Sequence, residues 1–183
     1  MELSFTKMQG TGNDFVVIDA TKKPFSLSTD TIRSLADRRY GIGFDQMLVV
    51  QPDETGQADF CYRIFNADGG EVAMCGNGAR CFALYVRSHG LTQKDRIRVR
   101  TMSGIITPEI LSDRTVRVDM GCPNFCPKNV PFNPESFESV SRKDAVLYRT
   151  KVSGISFAFG VVSMGNPHAV CLVQREQLPL SLI

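Results

Sequence analysis

Two short apolar runs, Val16-Val17-Ile18 and Met47-Leu48-Val49-Val50, are rich in β-branched residues and too short for helices, so they predict strands over 14–19 and 47–50. Further strands are expected at 3–8, 58–66, 146–152 and 155–163, the last two joined by a Ser153-Gly154 hairpin turn. Residues 96–101 alternate Arg96-Ile97-Arg98-Val99-Arg100-Thr101, which predicts a strand with its arginines on a solvated face. Two more strands, 105–111 and 115–120, would flank a Ser112-Asp113 turn. Helical spacing appears twice. Ser28 can cap a helix through Ile32, Leu35 and Ala36 toward Arg39, with Gly41 just beyond its end. The second helix carries Cys81, Phe82, Tyr85 and Val86 on one face and opens near Cys75. An α+β fold is expected.

Four prolines between 121 and 134 (Pro123, Pro127, Pro131, Pro134) exclude a regular helix or central strand and mark a boundary between a first domain, 1–120, and a second, 121–183. The 183 residues are 43% hydrophobic and 22% charged, a globular composition able to bury a core. A net charge of +2 with scattered basic residues gives no nucleic-acid surface. There is no leader pattern at the start and no apolar run near the ~18 residues of a membrane span, so the expectation is a cytoplasmic protein with no membrane partner. Six cysteines in a reducing compartment read as free thiols. Cys122 and Cys126 have no second pair to complete a zinc site, and no metal is expected.

The chemistry concentrates in the stretch from Asn66 to Val86. Cys75 stands at the mouth of the second helix, where unpaired backbone N–H groups favour an anion and ease ionisation of a thiol. Gly76 and Gly78 lack a Cβ, so backbone amides there, including those of Gly76 and Asn77, can approach a carboxylate closely. Asn66, Asp68, Glu71 and Asn77 flank the thiol in sequence, which argues against a simply buried cysteine.

The run Asn66-Ala67-Asp68-Gly69 followed by Met74-Cys75-Gly76-Asn77-Gly78-Ala79-Arg80-Cys81, with the early Gln9-Gly10-Thr11-Gly12-Asn13-Asp14-Phe15, resembles the diaminopimelate epimerase family. These are racemases that use two cysteines and no pyridoxal phosphate. The resemblance implies two pseudo-symmetric domains, each a mostly antiparallel sheet around a central helix, with the second incomplete here. It also implies Cys75 as a proton-transfer group and His168, in Gly165-Asn166-Pro167-His168, as a group that adjusts the catalytic thiols. Asn13, Gln46, Asn66, Gly76, Asn77 and Asn166 would contact a small-molecule substrate, diaminopimelate, with no cofactor, in a homodimer when full length. Gly12-Asn13 and Gly165-Asn166, each preceding an apolar stretch, fit an internal repeat.

Inverting an α-carbon requires a base on one face and an acid on the other, so one cysteine is not enough. A second domain built like the first would place its cysteine as far beyond Asn166 as Cys75 lies beyond Asn13, past Ile183. The chain also finishes on apolar residues with no closing element. It is therefore expected to be the front part of a longer enzyme, inactive alone. Two alternatives remain open from the residues: another two-thiol isomerase, such as a proline racemase or a phenazine-pathway enzyme, and a non-catalytic binding module.

Overall fold

The computed structural model describes residues 3–142 and 145–174, so the apolar ending at 178–183 lies outside the described residues. The chain forms two compact units, Met1–Met120 and Gly121–Ile183. None of the described helices is long and apolar enough to cross a membrane.

The first unit contains β1 (Thr6–Gly10), β2 (Asn13–Asp19), α1 (Thr29–Ala36), β3 (Gln46–Pro52), β4 (Phe60–Asn66), β5 (Glu71–Val72), α2 (Gly76–Ser88), β6 (Val99–Thr101), β7 (Gly104–Ile106), β8 (Glu109–Ile110) and β9 (Val116–Arg117). Seven strands make a mixed sheet in the order β1-β2-β3-β4-β6-β7, with β5 hydrogen-bonded to β4. The pairs β2–β3 and β4–β6 are parallel, the other pairs of this sheet antiparallel, and β8 with β9 forms a separate two-stranded sheet.

The two apolar runs are the parallel centre, β2 and β3, and both of their faces are buried, which is why their sequences do not alternate. Phe15, Val17, Leu48 and Val50 face α2 with Phe60, Tyr62 and Ile64 of β4. Val16, Ile18, Met47 and Val49 face the opposite way and pack with Ile32 and Ala36 of α1. Helix α2 lies on the first face through Ala79, Phe82, Ala83 and Val86, all at most 1% exposed. Burial of each large side chain there contributes about 1.5–3 kcal/mol.

Several features differ from what the sequence predicts. Helix α1, capped by Ser28, stops at Ala36 rather than near Arg39. Asp37 takes the Arg39 and Tyr40 amides at 2.8 and 2.7 Å, while the Ile42, Gly43 and Phe44 amides bond back to the carbonyls of Leu35 and Ala36. The stretch 105–111 is not one strand: it breaks before Pro108, which has no N–H to continue a ladder and whose carbonyl instead accepts from the Ile97 amide at 3.0 Å. Arg100 is not a solvated sheet residue either. Its guanidinium binds the enclosed Asp53 carboxylate at 2.6 Å and reaches Thr55, holding Asp53 well below the usual carboxylate range.

The second unit is a four-stranded antiparallel sheet of β10 (Glu138–Arg142), β11 (Ala145–Val152), β12 (Ile155–Ser163) and β13 (Pro167–Cys171), preceded by short 3₁₀ turns at Pro127–Asn129 and Pro134–Ser136. Phe132, Phe137, Tyr148 and Phe159 make its aromatic cluster. Strand β10 was not expected from sequence, since Glu138-Ser139-Val140-Ser141-Arg142 is an exposed edge whose order comes from pairing with β11.

Phe82, fully buried against Phe60 and Tyr62, is the central knob of α2. Phe82→Ala should destabilise the first unit by about 3–5 kcal/mol in urea unfolding; a loss below 1 kcal/mol would mean that α2 is not seated as described.

Candidate active site

The topology collects the expected site residues of the first unit at one end of its sheet. Asn13 begins β2, Gln46 begins β3 parallel to it, and Asn66 ends β4, which runs antiparallel to β3. Gln46 and Asn66 are register partners, and the Gln46 side-chain amide donates to the Asn66 carbonyl oxygen Oδ1 at 2.8 Å. Between β1 and β2, Thr11 and Gly12 both take left-handed backbone (φ 54° and 88°), the tight two-residue hairpin that brings Asn13 to this end.

Cys75 is the N-cap of α2, with extended backbone (φ −145°, ψ 113°). Its sulfur accepts from the Gly78 amide at 3.3 Å, while its carbonyl takes the Ala79 amide at 2.8 Å. A cap is ordinarily Ser, Thr, Asp or Asn. Here a half-buried thiol occupies that place. The Gly76 and Asn77 amides, at the first two helical positions, have no helical carbonyl to bond. A Cβ on Gly76 would sit 2.9 Å from the Met120 sulfur, so the helix entrance is closely packed there.

A polar chain fixes the amides beside the thiol. Asn77 Nδ2 donates to Asn13 Oδ1 at 2.7 Å, and Arg80 donates to Asn77 Oδ1 and to Thr11 Oγ1, the latter at 3.0 Å. Asn13 Nδ2 in turn points to Asp45 Oδ2 at 3.4 Å, which also takes the Asp14 amide at 2.9 Å. Arg38 bridges Asp14 and Asp45 at 2.6 and 2.8 Å. The Asp14 amide chiefly, then Arg38 and Asn13, hold the Asp45 carboxyl below the usual carboxylate range against the opposing effect of burial.

By its neighbours in sequence Asp45 is only a polar turn group, and neither it nor Arg38 is assigned a part, although an Asp immediately before Gln46 at a strand start is the available signal. Asp68 and Glu71 do not surround the thiol as their position in sequence implied: Asp68 accepts from the Gly70 amide at 2.8 Å, and Glu71 takes Arg63 in two bonds of 2.7 Å. Asn166 and His168 belong to the second unit. The Asn166 carbonyl accepts from the Met164 amide at 3.1 Å and from His168 Nδ1 at 3.0 Å, and His168 is exposed opposite Val162 on the β12–β13 ladder. Gly165 has left-handed backbone (φ 94°) in the turn before β13, as Gly12 does before β2.

The other thiols of the first unit differ in setting. Burial pushes Cys81 up to about 11 and also raises Cys61. Among the described residues, Cys122 and Cys126 are exposed and Cys171 is half-buried at the end of β13.

A thiol at a helix N-terminus, two backbone amides unpaired among the described residues and a pinned pair of asparagines form an arrangement suited to a carboxylate-bearing substrate that loses a proton. The family model for diaminopimelate epimerase matches residues 5–126. The chain belongs to the diaminopimelate epimerase family. It is 53% identical over 173 residues to the diaminopimelate epimerase of Laribacter hongkongensis and 54% identical over 174 residues to that of Nitrosomonas europaea, covering 94% of this chain in each case. The chain spans about 60% of the length of these relatives. A Bacillus anthracis phenazine biosynthesis protein of the PhzF family shares the fold, with a TM-score of 0.56 at 19% identity, over 94% of this chain and 55% of its own.

For this member of the diaminopimelate epimerase family, limiting iodoacetamide should label Cys75 before the other thiols in peptide mapping, and Cys81 should react last because burial keeps it protonated; faster labelling of Cys122 or Cys171 would overturn the role of the helix entrance. Asp45 gives a second prediction. Its folded value is depressed, so its clamp contributes stability above the ordinary carboxylate value of 3.8 and loses it as pH falls through the depressed value. Asp45→Asn should lower the melting temperature at neutral pH, and the gap to the unaltered chain should close in acid; an equal gap at both ends would remove the charge from the clamp.

Proposed function

We propose that this chain is the Cys75-bearing part of a cofactor-independent isomerase that interconverts LL- and meso-diaminopimelate in lysine and peptidoglycan precursor biosynthesis. The observation that carries the reading is Cys75 at the cap of α2, its sulfur 3.3 Å from the Gly78 amide, with the Asn77–Asn13 pair alongside. As thiolate, Cys75 abstracts the α-proton; as thiol, it returns one. The negative charge that develops spreads into the substrate carboxylate, where the Gly76 and Asn77 amides stabilise it more than they stabilise the ground state. The bonded Gln46–Asn66 pair has donors and acceptors to spare for the far amino-acid end of the substrate; Asn166 is a further substrate contact in this reading. His168 adjusts the thiols.

Inversion needs a second thiol on the opposite face. Cys61 and Cys81 are held protonated by burial, Cys122 and Cys126 lie in the proline-rich segment, and Cys171 ends strand β13 with no glycine pair after it, so none of them suits the role. The 183-residue chain is accordingly inactive alone. The whole enzyme works in the cytoplasm as a homodimer.

The test is chiral chromatography of LL-diaminopimelate incubated with the 183-residue chain and with a version extended by the downstream reading frame, with proline and 4-hydroxyproline as competing substrates. The extended protein should convert diaminopimelate, lose that activity on Cys75→Ser while keeping its fold, and leave the cyclic amino acids unchanged. Turnover by the 183-residue chain at a comparable rate would overturn its inactivity, and preference for a cyclic amino acid would overturn the substrate.

A further inference from the structure

Tyr62 sits in the middle of β4, on the face that carries Phe60 and Ile64 against α2, and is 2% exposed. Its ring packs on Phe82 with centroids 4.7 Å apart. A phenylalanine would make the same contact. The hydroxyl, by contrast, is buried without a hydrogen-bond partner among the described residues. A buried donor left unmatched destabilises the fold, and a tyrosine at such a depth normally finds a partner.

The position of that hydroxyl is defined by Gly78. A Cβ built on Gly78 would lie 2.3 Å from the Tyr62 oxygen, 3.2 Å from Leu48 Cδ2 and 3.5 Å from the Cys75 Cβ. Position 78 therefore has to be glycine, since any side chain would displace the phenol. The Tyr62 hydroxyl thus presses on the first turn of α2 at the residue whose amide holds the Cys75 sulfur. Sheet and helix entrance meet there.

The titratable groups that act on this phenol are Cys75 and Cys81, both of α2 or its cap, and β3 presents the apolar Leu48. Burial first, and then the two thiols, push the ionisation of Tyr62 well up, so it remains a neutral donor at any pH near neutrality. Cys81, raised to about 11, remains a protonated thiol and a weak acceptor. Cys75 is the thiol at the helix entrance, where the N-terminal amides favour an anion.

We propose that Tyr62 is a positioning residue for Cys75: its hydroxyl stays unmatched beside the neutral thiol, and when the thiol ionises the half-buried Cys75 side chain shifts toward it and the sulfur takes a second hydrogen bond from the phenol beside that of the Gly78 amide. The unmatched donor and the thiolate then satisfy each other from the protein side, leaving the outer side of the sulfur for substrate. This inference rests on reading Cys75 as the proton-transfer thiol, which the diaminopimelate assay tests separately.

The experiment follows the rate of Cys75 alkylation by iodoacetamide against pH, by peptide mass spectrometry, in the 183-residue chain and in Tyr62→Phe. Alkylation reports ionisation whether or not the chain turns over. In Tyr62→Phe the profile should move to higher pH and the rate at neutral pH should fall about fivefold, as for loss of one hydrogen bond, while the melting temperature stays the same or rises because the orphan is gone. Replacement of Tyr62 by 3-fluorotyrosine, a stronger donor of nearly equal size, should move the profile to lower pH. An unchanged profile in either variant, or a shift in the same direction in both, would overturn the proposal.

Discussion

The seating of α2 on the inner face of the sheet is the constraint on which the site depends. Phe82, Ala83 and Val86 are excluded from water by strands β2, β3 and β4, and this fixes both the axis of the helix and the height of its first turn. Cys75 then has no freedom to be anywhere except at the strand ends. The same packing leaves no room for a side chain at Gly78, so the core and the thiol are adjacent layers of one contact.

Around that helix entrance the polar groups are matched by direction. A side-chain amide has one accepting and one donating end, and a network that uses one end dictates where the other points. Arg80 binds the oxygen of Asn77, which turns its nitrogen to Asn13; the oxygen of Asn13 is thereby engaged, which turns its nitrogen to Asp45. Arg38 and the Asp14 amide anchor the far end. Two exposed or half-exposed arginines thus orient two asparagines that sequence reasoning treats as independent contacts.

The thiols show how environment separates chemically identical side chains. Cys81 is only six residues beyond Cys75 but faces the core, where loss of water penalises its anion; Cys75 faces the unpaired amides of a helix start. Helical geometry produces the difference, because residues six apart fall on different parts of the cylinder and at different depths along it.

Much of this was legible in the sequence because it depends on local or periodic causes. The buried runs at Val16 and Met47, the Ser28 cap, the Ser153-Gly154 turn and the helix beginning at Cys75 each follow from a few neighbouring residues. The family, too, was readable from contiguous motifs. The tertiary structure decided what depends on residues far apart in the chain. Arg100 reads as one of a solvated row until Asp53, from another loop, is brought beneath it. Asp45 reads as a turn until the parallel pairing of β2 with β3 places the Asp14 amide and Asn13 upon it. Tyr62 reads as an ordinary core aromatic until α2 packs across β4 and leaves its hydroxyl without a partner among the described residues. Local sequence carries backbone preference and hydrophobic period, but the match of a donor to a distant acceptor exists only once the chain has closed on itself.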